Sequence, residues 1–156
     1  PFLGICLGHQ LATVALGGQV CTSDHFCLGA AEMHLTPEGK KDPLLSVYDG
    51  HRGIHFNNDV AVVLPEDAVL LARDPTGQIE AVRFAERAWG VQFHPECTPE
   101  IFDAWTIGHG EKEWQQRLPW SEAVTVAETV RRDIDTVNAE EAFAARFQEL
   151  IDPEKR

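Results

Sequence analysis

The segment Gly4-Ile5-Cys6-Leu7-Gly8 constrains the fold more than any other part of the sequence. An apolar run, residues 1–3, precedes it and is typical of a buried strand, whereas residues 10–16 have the pattern of a short helix. A cysteine on a sharp strand–helix turn has the geometry of a nucleophile elbow, in which a strained residue holds its side chain clear of the backbone. The glycines on either side let the strand and the helix approach closely. The helix then directs the partial positive charge of its amino end at the sulfur, which favours the reactive thiolate.

Composition and charge exclude several classes of function. The 156 residues are 44% apolar and 24% charged, which is sufficient for one domain with a packed core. The net charge of −12 argues against nucleic acid or an anionic membrane as a partner, because both require clustered Lys and Arg. No apolar run approaches the roughly 20 residues that a membrane-spanning helix needs.

The cysteines and histidines do not have the spacing of a metal site. The four cysteines contain no CxxC pair, and we expect no secretory signal, so a reduced cytoplasmic setting is the simplest interpretation. A disulfide between Cys21 and Cys27 remains an open alternative. The seven histidines include no HExxH sequence and no close cluster with cysteine. We therefore expect no metal and no other cofactor.

The middle of the chain favours antiparallel strands. Hairpin-like polar segments separate three runs of strand-forming residues. These runs are 69–72, 79–84 and 89–93. Residues 22–31, which contain polar residues and glycine, are interpreted as irregular.

Helices are predicted towards the carboxyl end. Thr98-Pro99-Glu100 is a typical helix start, with a capping hydroxyl, a proline at the first position and an acid at the positive end. Apolar residues at helical spacing predict a helical tail over about 121–151, with a capping box that begins at Asn138. We expect residues 1–156 to form a single domain. Because a parallel strand without neighbours is an implausible start, we expect this domain to be truncated at its amino terminus.

A second segment, His94-Pro95-Glu96, supplies the groups that a cysteine nucleophile needs. Pro95 favours extended geometry in His94, and residues i and i+2 of an extended chain share one side. An imidazole can take the proton of a thiol, and a carboxylate on its other nitrogen fixes its tautomer. We interpret Cys6 as the nucleophile, His94 as general base and then acid, and Glu96 as the group that orients the imidazole.

Each feature taken alone has a simpler structural interpretation. A single cysteine is more often a small buried side chain, and a histidine before proline is usually a structural residue. The two features together favour a catalytic site, because one active site would need both.

The two segments Gly-Ile-Cys-Leu-Gly-His-Gln and Gly-Val-Gln-Phe-His-Pro-Glu together resemble the class I glutamine amidotransferases, which have a Cys-His-Glu triad. The resemblance covers about residues 1–100 and is greatest to guanylate-synthase-type amidotransferase domains and their stand-alone relatives. It implies a flavodoxin-like α/β fold, a three-layer sandwich with a mostly parallel central sheet and an added antiparallel edge. It also implies that the strands that precede the elbow in this family are missing from this chain, together with a glycine-containing loop that donates to the oxyanion.

The implied reaction is hydrolysis of the side-chain amide of glutamine through a cysteine thioester, with release of ammonia. The resemblance assigns one oxyanion donor to the backbone amide of Leu7 and places Gln10 near the bound glutamine. At Asn57 the chain departs from the family, which often has histidine there in a segment that contacts substrate. His55 could compensate for this change, but a loop histidine without a role is the simpler interpretation.

Three functions remain open at this point. The first is a glutaminase that hands ammonia to a synthetase on a separate chain, since no glycine-rich phosphate loop is present in this sequence. The second is a γ-glutamyl hydrolase that acts on γ-glutamyl amides with water as its acceptor. The third is a catalytically silent regulatory or binding homologue, against which the intact Cys6, His94 and Glu96 argue.

Overall fold

A mixed β-sheet lies at the centre of the fold in the computed structural model, which describes residues 1–107, 119–134 and 139–152. The described strands, in chain order, are β1 (Phe2–Ile5), β2 (Gln19–Glu32), β3 (His34–Leu35), β4 (Arg52–Val63), β5 (Val69–Arg73), β6 (Ile79–Ala85) and β7 (Ala88–Val91). The described helices are α1 (Leu7–Ala15), α2 (Pro99–Ile107), α3 (Trp120–Ile134) and α4 (Glu140–Ile151), with short 3-10 turns at Gly39–Lys41 and Leu45–Tyr48.

The larger sheet has five strands in the order β1-β7-β6-β5-β3. Strands β1 and β7 run parallel, and the other neighbouring pairs in this sheet are antiparallel. The three strands predicted in the middle of the chain are confirmed as β5, β6 and β7, and they form the expected antiparallel edge. The α/β class is therefore confirmed, and the sheet of the described residues is mixed, with one parallel pair.

Helices cover both faces of this sheet and give the three layers that the resemblance implies. On one face, Trp89 and Val91 of β7 are fully buried in a core cluster with Phe143 of α4. Gly90 lies between them and points to the other face, because successive residues of a strand alternate. A Cβ on Gly90 would lie 2.5 Å from Nδ1 of His9, so the missing side chain lets α1 lie directly on β7.

Strands β2 and β4 form a separate two-stranded antiparallel ribbon. The interpretation of residues 22–31 as irregular is wrong, because β2 extends through all of them. Its pairing with β4 is interrupted between Thr22 and Cys27, where the register shifts. This irregularity and the half-exposed side chains remove the alternation by which a strand is recognised in sequence.

The predicted helices are present in the described residues. Helix α2 starts at Pro99, and the hydroxyl of Thr98 accepts a hydrogen bond from the backbone N–H of Ile101 at 3.3 Å, as a capping residue does. In the tail, α3 and α4 are confirmed, whereas Asn138 lies outside the described residues. None of the described helices has the length and apolar content needed to cross a membrane. The single domain over residues 1–156 stays a prediction.

Candidate active site

The parallel pairing of β1 with β7 brings the two informative sequence segments together. Ile5 lies opposite Val91 in the register, and the backbone N–H of Cys6 donates to the Val91 carbonyl at 2.8 Å. Parallel strands point their carboxyl ends at the same edge of a sheet. Cys6 directly after β1 and His94 shortly after β7 therefore meet at that edge.

Cys6 has a strained backbone conformation, as a nucleophile elbow requires. Its φ of 47° makes it the single non-glycine residue with positive φ in the described part of the chain, and it immediately precedes α1. Such a conformation costs about 1–3 kcal/mol and persists where the surrounding structure holds a side chain in place. The first backbone N–H groups of α1 follow directly, and they have no acceptor within the helix.

The two glycines of the elbow have different roles. A Cβ on Gly4 would lie 2.6 Å from the backbone carbonyl carbon of Gly8, so the missing side chain at position 4 lets β1 touch α1. A Cβ on Gly8 would meet nothing within 4 Å. The close approach thus depends on Gly4, and the expectation that the absence of a side chain at Gly8 is also needed is wrong.

His94 is held in a defined orientation by Glu96. Nδ1 of His94 and Oε1 of Glu96 are 2.7 Å apart, and 12% of the His94 side chain is exposed. Burial lowers the pKa of His94, but hydrogen bonds to Cys6 and Glu96 and the charges of both raise it to about 9. With Nδ1 directed at Glu96, Nε2 is the nitrogen left for Cys6. The arrangement therefore favours a protonated His94 at neutral pH, with Nε2 directed at Cys6.

Two contacts that sequence reasoning missed also fix His94. Its backbone N–H donates to the Ile54 carbonyl of β4 at 2.8 Å. The ring of Trp105, from α2, packs on the imidazole with a centroid distance of 4.5 Å. No sequence signal pointed to Trp105.

Gln92 is a further residue of the site, and the sequence could have indicated it. It precedes His94 by two residues in an extended segment, so the two side chains lie on the same side.

Gln10 and Gln92 form a buried hydrogen-bonded network next to Cys6. Nε2 of Gln92 lies 3.6 Å from Sγ of Cys6. Nε2 of Gln10 donates to Oε1 of Gln92 at 3.2 Å and to the backbone carbonyl of Asp59 at 2.7 Å. Nδ2 of Asn57 donates to the same carbonyl at 3.2 Å. The side chains of Gln10 and Asn57 are thus buried and bonded to protein groups, and their contact with glutamine stays a prediction.

The structure places Leu7 at the site and His55 in the protein interior. Leu7 is the first residue of α1 and directly follows the nucleophile, with an exposed side chain. His55 lies in β4 and is buried, and its Nε2 is 2.7 Å from Oε2 of Glu80. Burial lowers the pKa of His55, but the charge and hydrogen bond of Glu80 raise it above its ordinary value. The interpretation of His55 as a loop histidine without a role is wrong, since it forms a buried pair that ties β4 to β6.

The sequence of this chain matches a known protein family and several of its members. The family model for glutamine amidotransferase class-I matches residues 1–108. One subunit of the glutamine-hydrolysing GMP synthase of Methanothermobacter thermautotrophicus is 34% identical over 101 residues, which cover 62% of this chain and 51% of that protein. The glutamine-hydrolysing GMP synthase of Aeropyrum pernix is 31% identical over 141 residues, which cover 86% of this chain and 26% of that protein.

Solved structures share the fold. A glutamine amidotransferase of Thermotoga maritima superposes with a TM-score of 0.76 at 19% identity, covering 97% of this chain and 63% of that chain. A glutamine amidotransferase of Methylobacillus flagellatus gives a TM-score of 0.74 at 23% identity, covering 96% of this chain and 63% of that chain. At these identities the likeness concerns the architecture alone.

The chain spans about half the length of the single-subunit relatives it matches, and a smaller share of the longer GMP synthases. The match to the family model nevertheless includes the elbow at Cys6, the segment that carries His94 and Glu96, and helix α2. This chain belongs to the class-I glutamine amidotransferase family.

Proposed function

We propose that this chain carries the glutaminase site of an amidotransferase and hydrolyses the side-chain amide of glutamine to glutamate and ammonia. The observation that carries the proposal is the meeting of Cys6, on its positive-φ turn, with a His94 that is hydrogen-bonded to Glu96. Relatives that are named glutamine-hydrolysing GMP synthases support glutamine as the amide.

The positions of these groups determine the proposed sequence of steps. The thiolate of Cys6 attacks the carboxamide carbon, and negative charge moves to the carbonyl oxygen, for which the backbone N–H of Leu7 is one donor. The C–N bond then breaks while His94 gives its Nε2 proton to the departing nitrogen, so that ammonia leaves and a thioester remains. Water attacks the thioester as His94 takes its proton, and the C–S bond breaks to restore the thiolate.

The proposed acceptor of the ammonia is a synthetase on a separate polypeptide. Relatives that this chain matches over about half their length are each named as one subunit of a glutamine-hydrolysing GMP synthase, which supports a partner of that class. Addition of the synthetase polypeptide encoded in the same genome should raise glutaminase turnover, and an unchanged rate would argue against this partner.

Glutaminase assays on the full-length gene product test the catalytic proposal. We expect Cys6→Ala and His94→Ala each to abolish ammonia release, because each removes a group that the reaction needs. Cys21→Ala should retain it, because Cys21 is an exposed thiol on β2. A glutamine-like chloroketone should label Cys6 in the parent protein. An unlabelled Cys6, or equal turnover of Cys6→Ala and the parent, would contradict the proposal.

The environment of Asn57 favours a γ-glutamyl hydrolase as the second candidate function. The residue is buried, stands where the family often has histidine, and its Oδ1 is buried without a hydrogen-bond partner among the described residues. Release of ammonia from glutamine without release of amines from γ-glutamyl amines would support the amidotransferase, and the reverse would support the hydrolase. Absence of both activities together with an unlabelled Cys6 would favour the silent homologue.

A further inference from the structure

We propose that Gln92 is a further catalytic residue, whose side-chain amide donates a hydrogen bond to the Cys6 thiolate. Its Nε2 lies 3.6 Å from Sγ, within the range of a hydrogen bond to sulfur, and the residue is fully buried. The catalytic role of Gln92 rests on the proposed function, because it concerns the glutaminase reaction. The contact itself affects the ionisation of the Cys6 thiol, which can be measured without substrate.

The orientation of the Gln92 amide is fixed by the protein rather than by the sulfur. The backbone carbonyl of Asp59 can only accept hydrogen bonds, so the side-chain atom of Gln10 that lies 2.7 Å from it is Nε2. The same nitrogen lies 3.2 Å from Gln92, which must therefore present its acceptor, Oε1, to Gln10. Nε2 of Gln92 is then the atom that faces Cys6.

Reversal of this amide would create two unfavourable contacts at once. Nε2 of Gln92 would face Nε2 of Gln10, donor against donor, and Oε1 would face the thiolate, acceptor against anion. The backbone N–H of Gln92 is held at 2.8 Å by the carbonyl of Glu80, and Gln10 is only 8% exposed, so solvent offers neither side chain an alternative partner. Buried polar groups connected in this way hold one arrangement.

The contact acts twice in the reaction without transferring a proton. Before attack it stabilises the thiolate, since a hydrogen bond to an ionised acceptor is stronger than one between neutral groups. As the C–S bond forms, negative charge leaves the sulfur and the contact weakens. As the thioester is hydrolysed, the charge returns and Gln92 stabilises the departing sulfur, while His94 moves the protons in both steps.

The charged groups around the sulfur are few among the described residues. His94 and, through it, Glu96 face Cys6. His9 follows in α1, but its imidazole is packed against Gly90, and burial lowers its pKa to about 4. His9 is therefore neutral at pH values well above 4, the range of the test described next.

The rate at which iodoacetamide alkylates Cys6 reports the thiolate directly and needs no glutaminase activity. Cys21 is exposed and should be replaced with alanine in every protein compared. Burial raises the pKa of the Cys97 thiol to about 12 and also raises the pKa of Cys27, so both react slowly. Peptide mass spectrometry then assigns the label to Cys6 at each pH.

Gln92→Met removes the donor at nearly constant side-chain length and should shift the pH midpoint of alkylation upward by about one unit. Gln10→Glu changes a side chain that does not contact the sulfur. A carboxylate there can only accept hydrogen bonds, so Gln92 should turn its Nε2 towards position 10 and away from Cys6. This variant should shift the midpoint in the same direction. Gln19→Glu makes the same charge change at an exposed position on β2 and should leave the midpoint unchanged.

An unchanged midpoint in Gln92→Met, with folding verified by circular dichroism, overturns the inference. If Gln92→Met does not fold, the same result in Gln10→Glu overturns it. If the midpoints shift as expected but the parent releases no ammonia from glutamine, the proposed function fails and the contact with the thiolate stands.

Discussion

Gly4 offers the sharpest test of how the elbow is built. Replacement with alanine would place a Cβ 2.6–2.8 Å from three backbone atoms of α1, the carbonyl carbon and oxygen of Gly8 and the nitrogen of His9. Ordinary contacts of a Cβ begin at 3.4 Å. The strand and the helix would therefore have to part by roughly 1 Å, because backbone atoms cannot rotate away as the end of a side chain can.

We expect Gly4→Ala to lower the free energy of unfolding by about 3 kcal/mol, the upper end of ordinary overpacking costs, because the contact is with backbone. In a chain of 156 residues this lowers Tm by about 6–12 °C. Displacement of Cys6 from His94 by this distance should also lower glutaminase turnover by about 100-fold. Urea unfolding followed by tryptophan fluorescence, to which the buried Trp89 contributes, gives the free energy.

Gly8→Ala is the matched control for this substitution. Its Cβ would meet nothing within 4 Å, and alanine is better than glycine in a helix by about 0.5–1 kcal/mol. The control should therefore be as stable as the parent or more stable. If Gly4→Ala were as stable as the parent, or if both variants lost equal stability, the argument that Gly4 sets the approach of β1 to α1 would be refuted.

Two further predictions concern buried ionisable groups. Glu80→Gln should lower the free energy of unfolding by about 1.5–3 kcal/mol, because it replaces the charge-assisted hydrogen bond to the buried His55 with a neutral one. Glu86→Gln, an exposed control, should stay within about 0.5 kcal/mol of the parent in urea unfolding, and equal losses in the two variants would contradict the reasoning. Burial lowers the pKa of His9 from 6.5 to about 4, so the unfolded chain binds more protons between these values, and stability falls by about 3 kcal/mol as pH decreases through this window. His9→Gln should show a smaller decrease in urea unfolding over the same pH range, and an identical decrease would rule out His9 as its source.

Sequence patterns predicted those parts of the site whose geometry depends on adjacent residues. The turn at Cys6 needs a strand, a small residue and a helix in immediate succession, and these are readable as composition and spacing. The hydrogen bond between His94 and Glu96 joins residues two apart in an extended segment. The antiparallel strands β5, β6 and β7 follow one another through short turns, so they too were found from local signals.

Contacts between distant segments could not be found in this way. The carbonyl that orients Gln10 belongs to Asp59, 49 positions later, and the partner of His55 is 25 positions away in another strand. A single sequence does not give the register between such strands, so a polar residue that is paired in the core looks like one that faces solvent. For this reason the sequence pattern around His55 predicts a loop residue where the structure has a buried one.

The register between β1 and β7 joins the two parts of the site, and the hydrophobic core selects it. A shift of β7 by one residue would turn Gln92 and His94 away from the sulfur and direct Phe93 at it. That shift would also turn Trp89 and Val91, which are fully buried on the α4 side, towards α1, where Gly90 leaves no room for a side chain. Forcing a large side chain into a packed interface costs about 1–3 kcal/mol, so the packing of these residues disfavours the alternative register. The groups next to Cys6 are therefore positioned by apolar residues on the opposite face of the same strand, which themselves take no part in the chemistry.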